Sequence, residues 1–327
     1  MPQVTGSFGR VVIDTEQTYK TEKTTKAGWI IPFTTCSLGK DQNLLESNTI
    51  SASRNPQQPG LGQINVSGDL SVELGGAAHT RLLYLALGGY SVTGTGPYTH
   101  TIKVGSSIPS FITEVRFSDG DAFTRYAKYD GCKINQWSFA VRTDAFVEST
   151  FSIIGSEEVF GSTAYQADTD LEDPGLKPFT NYNATLYLGG SAVAFITEIS
   201  FTVTNNLDEN TFAIGSGSAR TSLPEGRVAV NGSFTAQFVE DVETYINIAQ
   251  NSDETQIQID LQRGTGDGTD GNEKISILFP EVKLQPPRKE IPGPQGVFLT
   301  FNFIAYADDT DSAIQVTCNN SIADLSI

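Results

Sequence analysis

Gly264-Thr-Gly-Asp-Gly-Thr-Asp-Gly-Asn272 is the stretch whose composition most invites a chemical reading. A phosphate-cradling loop needs a Lys and a Ser or Thr after its last glycine, at a helix start, so that backbone N–H groups and the ammonium share the phosphate charge. Here Glu273-Lys274 follows, and the chain runs into the alternating stretch Ile275, Ile277, Phe279. A calcium loop needs carboxylates at alternate positions and a distal bidentate Glu. Asp267 and Asp270 stand three apart. What remains is a long hairpin between Ile257–Leu261 and Ile275–Phe279.

The other reactive side chains are equally scattered. His79 and His100 are the only histidines, one ahead of a helical pattern and one inside the strand-like YTHTIKV. Two isolated imidazoles make no metal cluster. Cys36, Cys132 and Cys318 are odd in number and widely spaced, so they give neither a disulfide framework nor a zinc spacing. They read as core or half-buried thiols of a chain folded in a reducing compartment. The carboxylate pairs Glu157-Glu158 and Asp308-Asp309 lie in polar connections and read as solvated surface. No G-x-S-x-G elbow is present. The expectation is a chain with no enzymatic activity, no cofactor and no metal.

The charge balance narrows the partners. With 21 Lys and Arg against 38 Asp and Glu the formal net charge is −17. Nucleic-acid binding requires clustered cations that neutralise phosphates and release counterions, and the balance here is reversed. A surface gripping DNA or an anionic membrane is therefore not expected, whereas one that must not stick to DNA is compatible; acidity as a device for solubility is the plain alternative. The opening MPQVTGSFGR has no charged start followed by an apolar stretch, and the apolar run Leu82–Leu87 is far too short to span a bilayer. A soluble chain, not exported by the general route, is expected.

Period-two alternation dominates the elements that must position these residues. Ile64, Val66, Leu70, Val72 and Leu74 fall on even positions; Ile199, Phe201 and Val203 fall on odd ones. Asn135/Trp137/Phe139/Val141, Ile257/Ile259/Leu261, Ile275/Ile277/Phe279 and Val297/Leu299/Phe301/Phe303 do the same. Strands with one face in a core and one face wet explain the pattern. Helical spacing occurs twice, in Ala77–Leu87, which stops at Gly88-Gly89, and in Asp241–Gln250.

The two halves match. GQINVSGDLSVEL begins at Gly62 and GRVAVNGSFTAQF at Gly226, and Gly68 and Gly232 occupy the same place in each. Each strand is followed by one of the two helices. Upstream stand NLLESNTI from Asn43 and NLDENTFAI from Asn206; downstream, Trp137 to Ile153 corresponds to Ile275 to Ile304. This is the grammar of a tandem duplication, with its junction between Gly155 and Pro178, where DTDLEDPGLKP interrupts the strands. The expected organisation is all-β: an N-terminal arm (1–28), a first sandwich or barrel domain (29–160), a linker (161–178) and a second such domain (179–327), each domain with a flanking short helix.

Ahead of each repeated strand lies a polar, Pro-containing loop with one arginine. The first holds Arg54, Asn55, Pro56 and Gln57, the second Arg220, Thr221, Ser222 and Leu223. An ordinary exposed loop is one reading. The other is an arm, shared with the segment Met1–Thr25, that crosses to a neighbouring subunit where each arginine meets an acidic patch with fork geometry.

Several segments resemble the two-domain tail tube (major tail) proteins of long-tailed bacteriophages and prophages. They are GTGPYTHTI (from Gly94), IPSFITEVRFSD (from Ile108), YDGCKINQWSFAV (from Tyr129), SLPEGRVAVNGSFTAQF (from Ser222) and RGTGDGTDGNEKISILFPEVK (from Arg263). They occur in order across nearly the whole chain. The resemblance implies a structural subunit of the virion tail, assembled in the host cytoplasm, whose β domains close side by side into rings and stack. Three chains would make a pseudo-sixfold ring. It implies as partners other copies of the chain, the tape-measure protein, the tail terminator and the baseplate or distal tail proteins, with DNA passing through an acidic lumen. The competing class is a secreted or surface β-sandwich adhesin or receptor-binding protein, which calls for an export signal and an aromatic platform. A β-rich hydrolase is the third, and the catalytic set it needs is missing.

Overall fold

The computed structural model describes residues 3–291 and 293–325. Residues 1–2 of the expected arm, and residues 292, 326 and 327 of the expected second domain, lie outside the described residues. The first half supplies β1 (Arg10–Thr15), β2 (Trp29–Ile31), β3 (Thr35–Cys36), β4 (Gly39–Leu45), β5 (Gly60–Glu73), α1 (Thr80–Leu87), β6 (Gly88–Thr93), β7 (Tyr98–Val104), β8 (Phe111–Ser118), β9 (Thr124–Arg142), β10 (Glu148–Gly155) and β11 (Glu157–Gly161). The second supplies β12 (Ala184–Leu188), β13 (Ser191–Val193), β14 (Ile196–Thr204), β15 (Ala229–Gln237), α2 (Val242–Asn251), β16 (Glu254–Gln262), β17 (Lys274–Leu284), β18 (Phe298–Tyr306) and β19 (Gln315–Asn320). The molecule is all-β, and both helices fall where the spacing placed them.

Three antiparallel sheets share these strands. The main sheet runs β4–β5–β10–β9–β14–β15–β18 and reaches the last residues of β17, of which Val282 and Lys283 also pair with Thr255 and Glu254 of β16. A second runs β6–β7–β19–β17–β16–β12–β13. A third runs β2–β1–β8–β9–β11. Strand β9 belongs to two of them: its first part pairs with β8 and β11, its last part with β10 and β14. The change occurs at a bulge where Gln136 pairs with Ser152 but Ile134 pairs with Ile153, leaving Asn135 over.

The pairing repeats in both halves. Lys40 pairs with Val66 as Val203 pairs with Val230, and Gly68 pairs with Ile153 as Gly232 pairs with Phe303. The strand order β4–β5–β10–β9 thus recurs as β14–β15–β18–β17. Both shared glycines stand where a side chain has no room. A Cβ at Gly68 would meet the Leu38 backbone, and one at Gly232 the Phe303 ring.

Three expectations about organisation need correction. The N-terminal segment is not a free arm: β1 lies inside the third sheet, with Val11, Val12 and Ile13 buried. The apolar run is only three residues long amid polar sequence, too short to stand out by periodicity. The stretch 161–178 is not a spacer but a strap across the first half. Glu172 accepts from the Ile30 N–H at 2.9 Å and donates its own N–H to the Gly28 carbonyl at 2.8 Å, and the Tyr165 hydroxyl reaches Asp14 at 3.0 Å. Nor are there two separate cores. One cluster of buried side chains runs through both halves, and the second sheet places the C-terminal β19 against β7 of the first. Phe201 marks the seam, 5.0 Å from Trp137 and 4.9 Å from Phe139 on one side and 5.0 Å from Phe279 on the other.

Candidate assembly surfaces

Alternation places Trp137, Phe139, Phe151, Phe201, Phe234 and Phe301 on the inner face of the main sheet, so their neighbours in sequence share its outer face. Those neighbours form registered rows. One runs Ser71–Thr150–Ser138–Thr202–Asn231 and another Glu73–Glu148–Ala140–Ser200–Ser233–Asn302. A third runs Arg142–Glu198–Thr235–Thr300, and Asp69 pairs with Ser152. The hydroxyls bond to one another across strands: Ser71 to Thr150 at 3.0 Å, Thr235 to Thr300 at 3.2 Å, and Ser152 donates to Asp69 at 2.5 Å. Charge is sparse. Asp69, Glu73, Glu148 and Glu198 stand against Arg142, which donates to Glu198 at 2.8 Å and to Glu148 at 3.0 Å. Hydrogen bonding from Glu198 holds that guanidinium above its ordinary value. Ile304, which closes the first row opposite Asn231, and Phe298 are exposed apolar side chains on the β18 end of this six-strand face; the rest is a hydroxyl and amide surface with slight excess negative charge.

The main sheet has two unlike ends. Strand β4 pairs with β5 alone. At the other end the Gln285 N–H still reaches the Asn302 carbonyl at 2.8 Å, and then Pro286 and Pro287, which have no N–H, end the ladder. The β9–β14 seam is the same kind of junction already closed inside the chain, the last strand of one repeat pairing with the first of the next.

The two arginine loops differ. Arg54, Asn55, Pro56 and Gln57 are all exposed in the β4–β5 connection, as are Ile50 within it, to 96%, and Leu44 and Leu61 at the strand ends that flank it. Arg220 is only 3% exposed and points into its own chain, not outward as the sequence led us to expect. It donates to the Gly155 and Glu209 carbonyls, each at 2.9 Å, and to the Asn65 amide oxygen, with its guanidinium over the Phe212 ring. Leu223 is buried with Leu207, Ile108 and Ile154; Thr221 and Ser222 remain exposed. Lys133 secures the same loop, donating to the Leu223 carbonyl at 2.9 Å and to Glu225 at 2.6 Å. The bulge residue Asn135 accepts the Leu207 N–H at 3.0 Å. The second loop is therefore docked on the first repeat, a contact no local pattern announced. The one signal was the shared Asn-Leu at 43–44 and 206–207.

The titratable groups singled out earlier are structural. His79 is fully buried; its Nε2–H donates to the Pro32 carbonyl at 2.8 Å and its Nδ1 accepts from the Gly75 N–H at 2.9 Å. Burial pushes its pKa down to about 4, against the opposing pull of the Pro32 bond. His100 is buried between Tyr90 and Asn320, and Asn320 in turn donates to Gly76 and Thr80, tying β19 to the first half. Cys132 and Cys318 are fully buried and Cys36 partly so; burial raises all three thiols. The glycine-rich stretch is the β16–β17 hairpin loop, with Gly264, Gly266, Gly268 and Gly271 at positive φ. Among the described residues no group of three or more His, Cys, Asp or Glu is arranged to hold a metal.

A family model described as phage tail tube protein matches residues 6–305. The chain belongs to the phage tail tube protein family. It is a structural component of a bacteriophage tail, built as an all-β, sandwich-like molecule. No curated protein matches the chain. No helix among the described residues of this tail tube protein is long and apolar enough to cross a membrane.

Proposed function

We propose that the tail tube protein closes into rings of three chains in which the main sheet is the inner wall and its hydroxyl face lines the lumen. The seam carries this reading: β9 and β14 join two repeats head to tail, and β4, which holds the place of β14 in its own repeat, leaves free the edge that β14 uses in the seam. A heterologous junction of that kind repeats until a ring closes. Each chain brings eight strands to the wall. At about 4.8 Å per strand and a tilt of roughly 40°, three chains give a barrel roughly 50 Å across the backbone. Two chains would give roughly 30 Å, and side chains projecting inward would leave too little for duplex DNA.

The lining fits a conduit. Hydroxyls and amides bonded among themselves, with Asp69, Glu73, Glu148 and Glu198 outnumbering Arg142, offer phosphates no cationic foothold. The tape-measure protein would fill this channel during assembly and DNA would follow it; the tail terminator and the baseplate or distal tail proteins would meet the two ends of the stack. Electron microscopy of tubes assembled from the purified protein, averaged without imposed symmetry, tests the reading. Three chains per ring are expected, with alternating unlike repeats. Six full-length chains per ring would overturn the count, and failure of the protein to form rings or tubes would overturn the function.

A further inference from the structure

The second repeat carries an open groove at the place where the first repeat is covered. Ile154 pairs with Lys133 and Ile304 pairs with Lys283, so the two isoleucines hold equivalent positions. Ile154 is 4% exposed beneath Leu207 and Leu223, whereas Ile304 is 50% exposed. A groove of about 710 Å³ lies over Ile304, Ala305, Ala229 and Val228, with Arg227 and Asn206 at its side. The loop that would cover it by the same rule is the β4–β5 connection. The equivalence of Lys40–Val66 with Val203–Val230 makes Leu44 the counterpart of Leu207 and Glu46 that of Glu209. Leu44 is exposed, like Ile50 and Leu61.

We infer that, in the ring described above, the β4–β5 loop of one copy docks in the Ile304 groove of the next, with Leu44 seated on Ile304 as Leu207 is seated on Ile154. The inference rests on the ring reading and adds the partner surfaces. Geometry favours this occupant twice. Leu207 follows β14 directly, and β14 is the strand beside β9, one removed from Ile154 in β10. Leu44 stands at the end of β4, whose free edge is the one β14 uses in the seam, and the seam repeated between copies would bring it beside the end of β17, one removed from Ile304 in β18. The charges also match. Arg54 is the loop's only cation between residues 46 and 59, and the acidic turn Asp308–Asp311 borders the groove between Ala307 and Ser312. In the docked arrangement Glu46 would meet the Arg227 side of the groove.

Thiol accessibility in Ile304→Cys and, separately, Leu44→Cys tests this. In the unassembled chain each introduced thiol should react freely with a bulky maleimide. In tubes each should be as protected as the buried native Cys132. The double variant, oxidised in tubes, should give covalent species that stop at three chains, because the contact lies within a ring. Tubes in which the thiol at 304 labels at the unassembled rate would overturn the docking while leaving the tube intact. Covalent ladders longer than three chains would overturn it by making the contact one between rings. Absence of any ring or tube from the unaltered protein would instead overturn the reading on which it rests. A folded Ile304→Cys or Leu44→Cys chain that no longer assembles, beside unaltered protein that does, would support it.

Discussion

Arg220 donates to two backbone carbonyls and the Asn65 amide while its guanidinium covers Phe212. Removing it leaves buried acceptors unpaired, so Arg220→Ala should lower stability by about 2–4 kcal/mol in denaturant unfolding. Arg220→Lys should recover little, because an ammonium cannot span three acceptors set for a planar fork. An Arg54→Ala chain, altered at an exposed site, should unfold like the unaltered protein. Both arginines have the same polar neighbours in sequence, and burial of one of them depends on strands 65 to 155 residues away in the chain order, which no window reveals. His79 makes a second residue-scale case. Its folded pKa of about 4 lies below the ordinary 6.5, so its contribution is full above pH 6.5 and is lost as pH falls toward 4. The shift corresponds to about 3 kcal/mol. Unfolding free energies of His79→Gln and the unaltered chain should therefore converge as pH drops through that window. A difference constant from pH 7 to 4 would refute the buried neutral imidazole.

Among the elements, the alternating strands and both helices were legible, because each buries one face and that face has a period. Strand partners were not. Alternation says that a side of β19 is covered without saying that β7 covers it, and β1 is a run of three apolar residues that any loop could contain. The hydroxyl face was half legible: its Ser and Thr positions were visible, while the register that aligns them across β5, β10, β9, β14 and β15 was not. The seam gives the prediction at this scale. Phe201 touches Trp137, Phe139 and Phe279 at once, so Phe201→Ala should cost about 3–5 kcal/mol. Because the aromatic side chains on both sides of β9 and β14 lose the same partner, calorimetry should still find a single transition at lower temperature. Two resolved transitions in the unaltered chain would contradict a shared core.

For the molecule as a whole, the recurring strand order was readable from Gly62 and Gly226, whereas the joining of the two halves was not. The repeats are fused through one core and two shared sheets, which sequence similarity between them cannot express. What the shared grammar did carry was equivalence of position, and the Asn-Leu pairs at 43 and 206 mark the start of an undocked loop and of a docked one respectively. The closed seam between β9 and β14 has one more effect, on parity. A ring made of chains that each contain two fused repeats can hold only an even number of them. For the proposed ring of six, closure with five or seven repeats is excluded by the covalent chain before any contact is tested, and the next rings available, with four or eight, differ from six by a whole chain. A single-repeat subunit must exclude those odd rings through the accuracy of its contact angle alone; here the polypeptide does the counting.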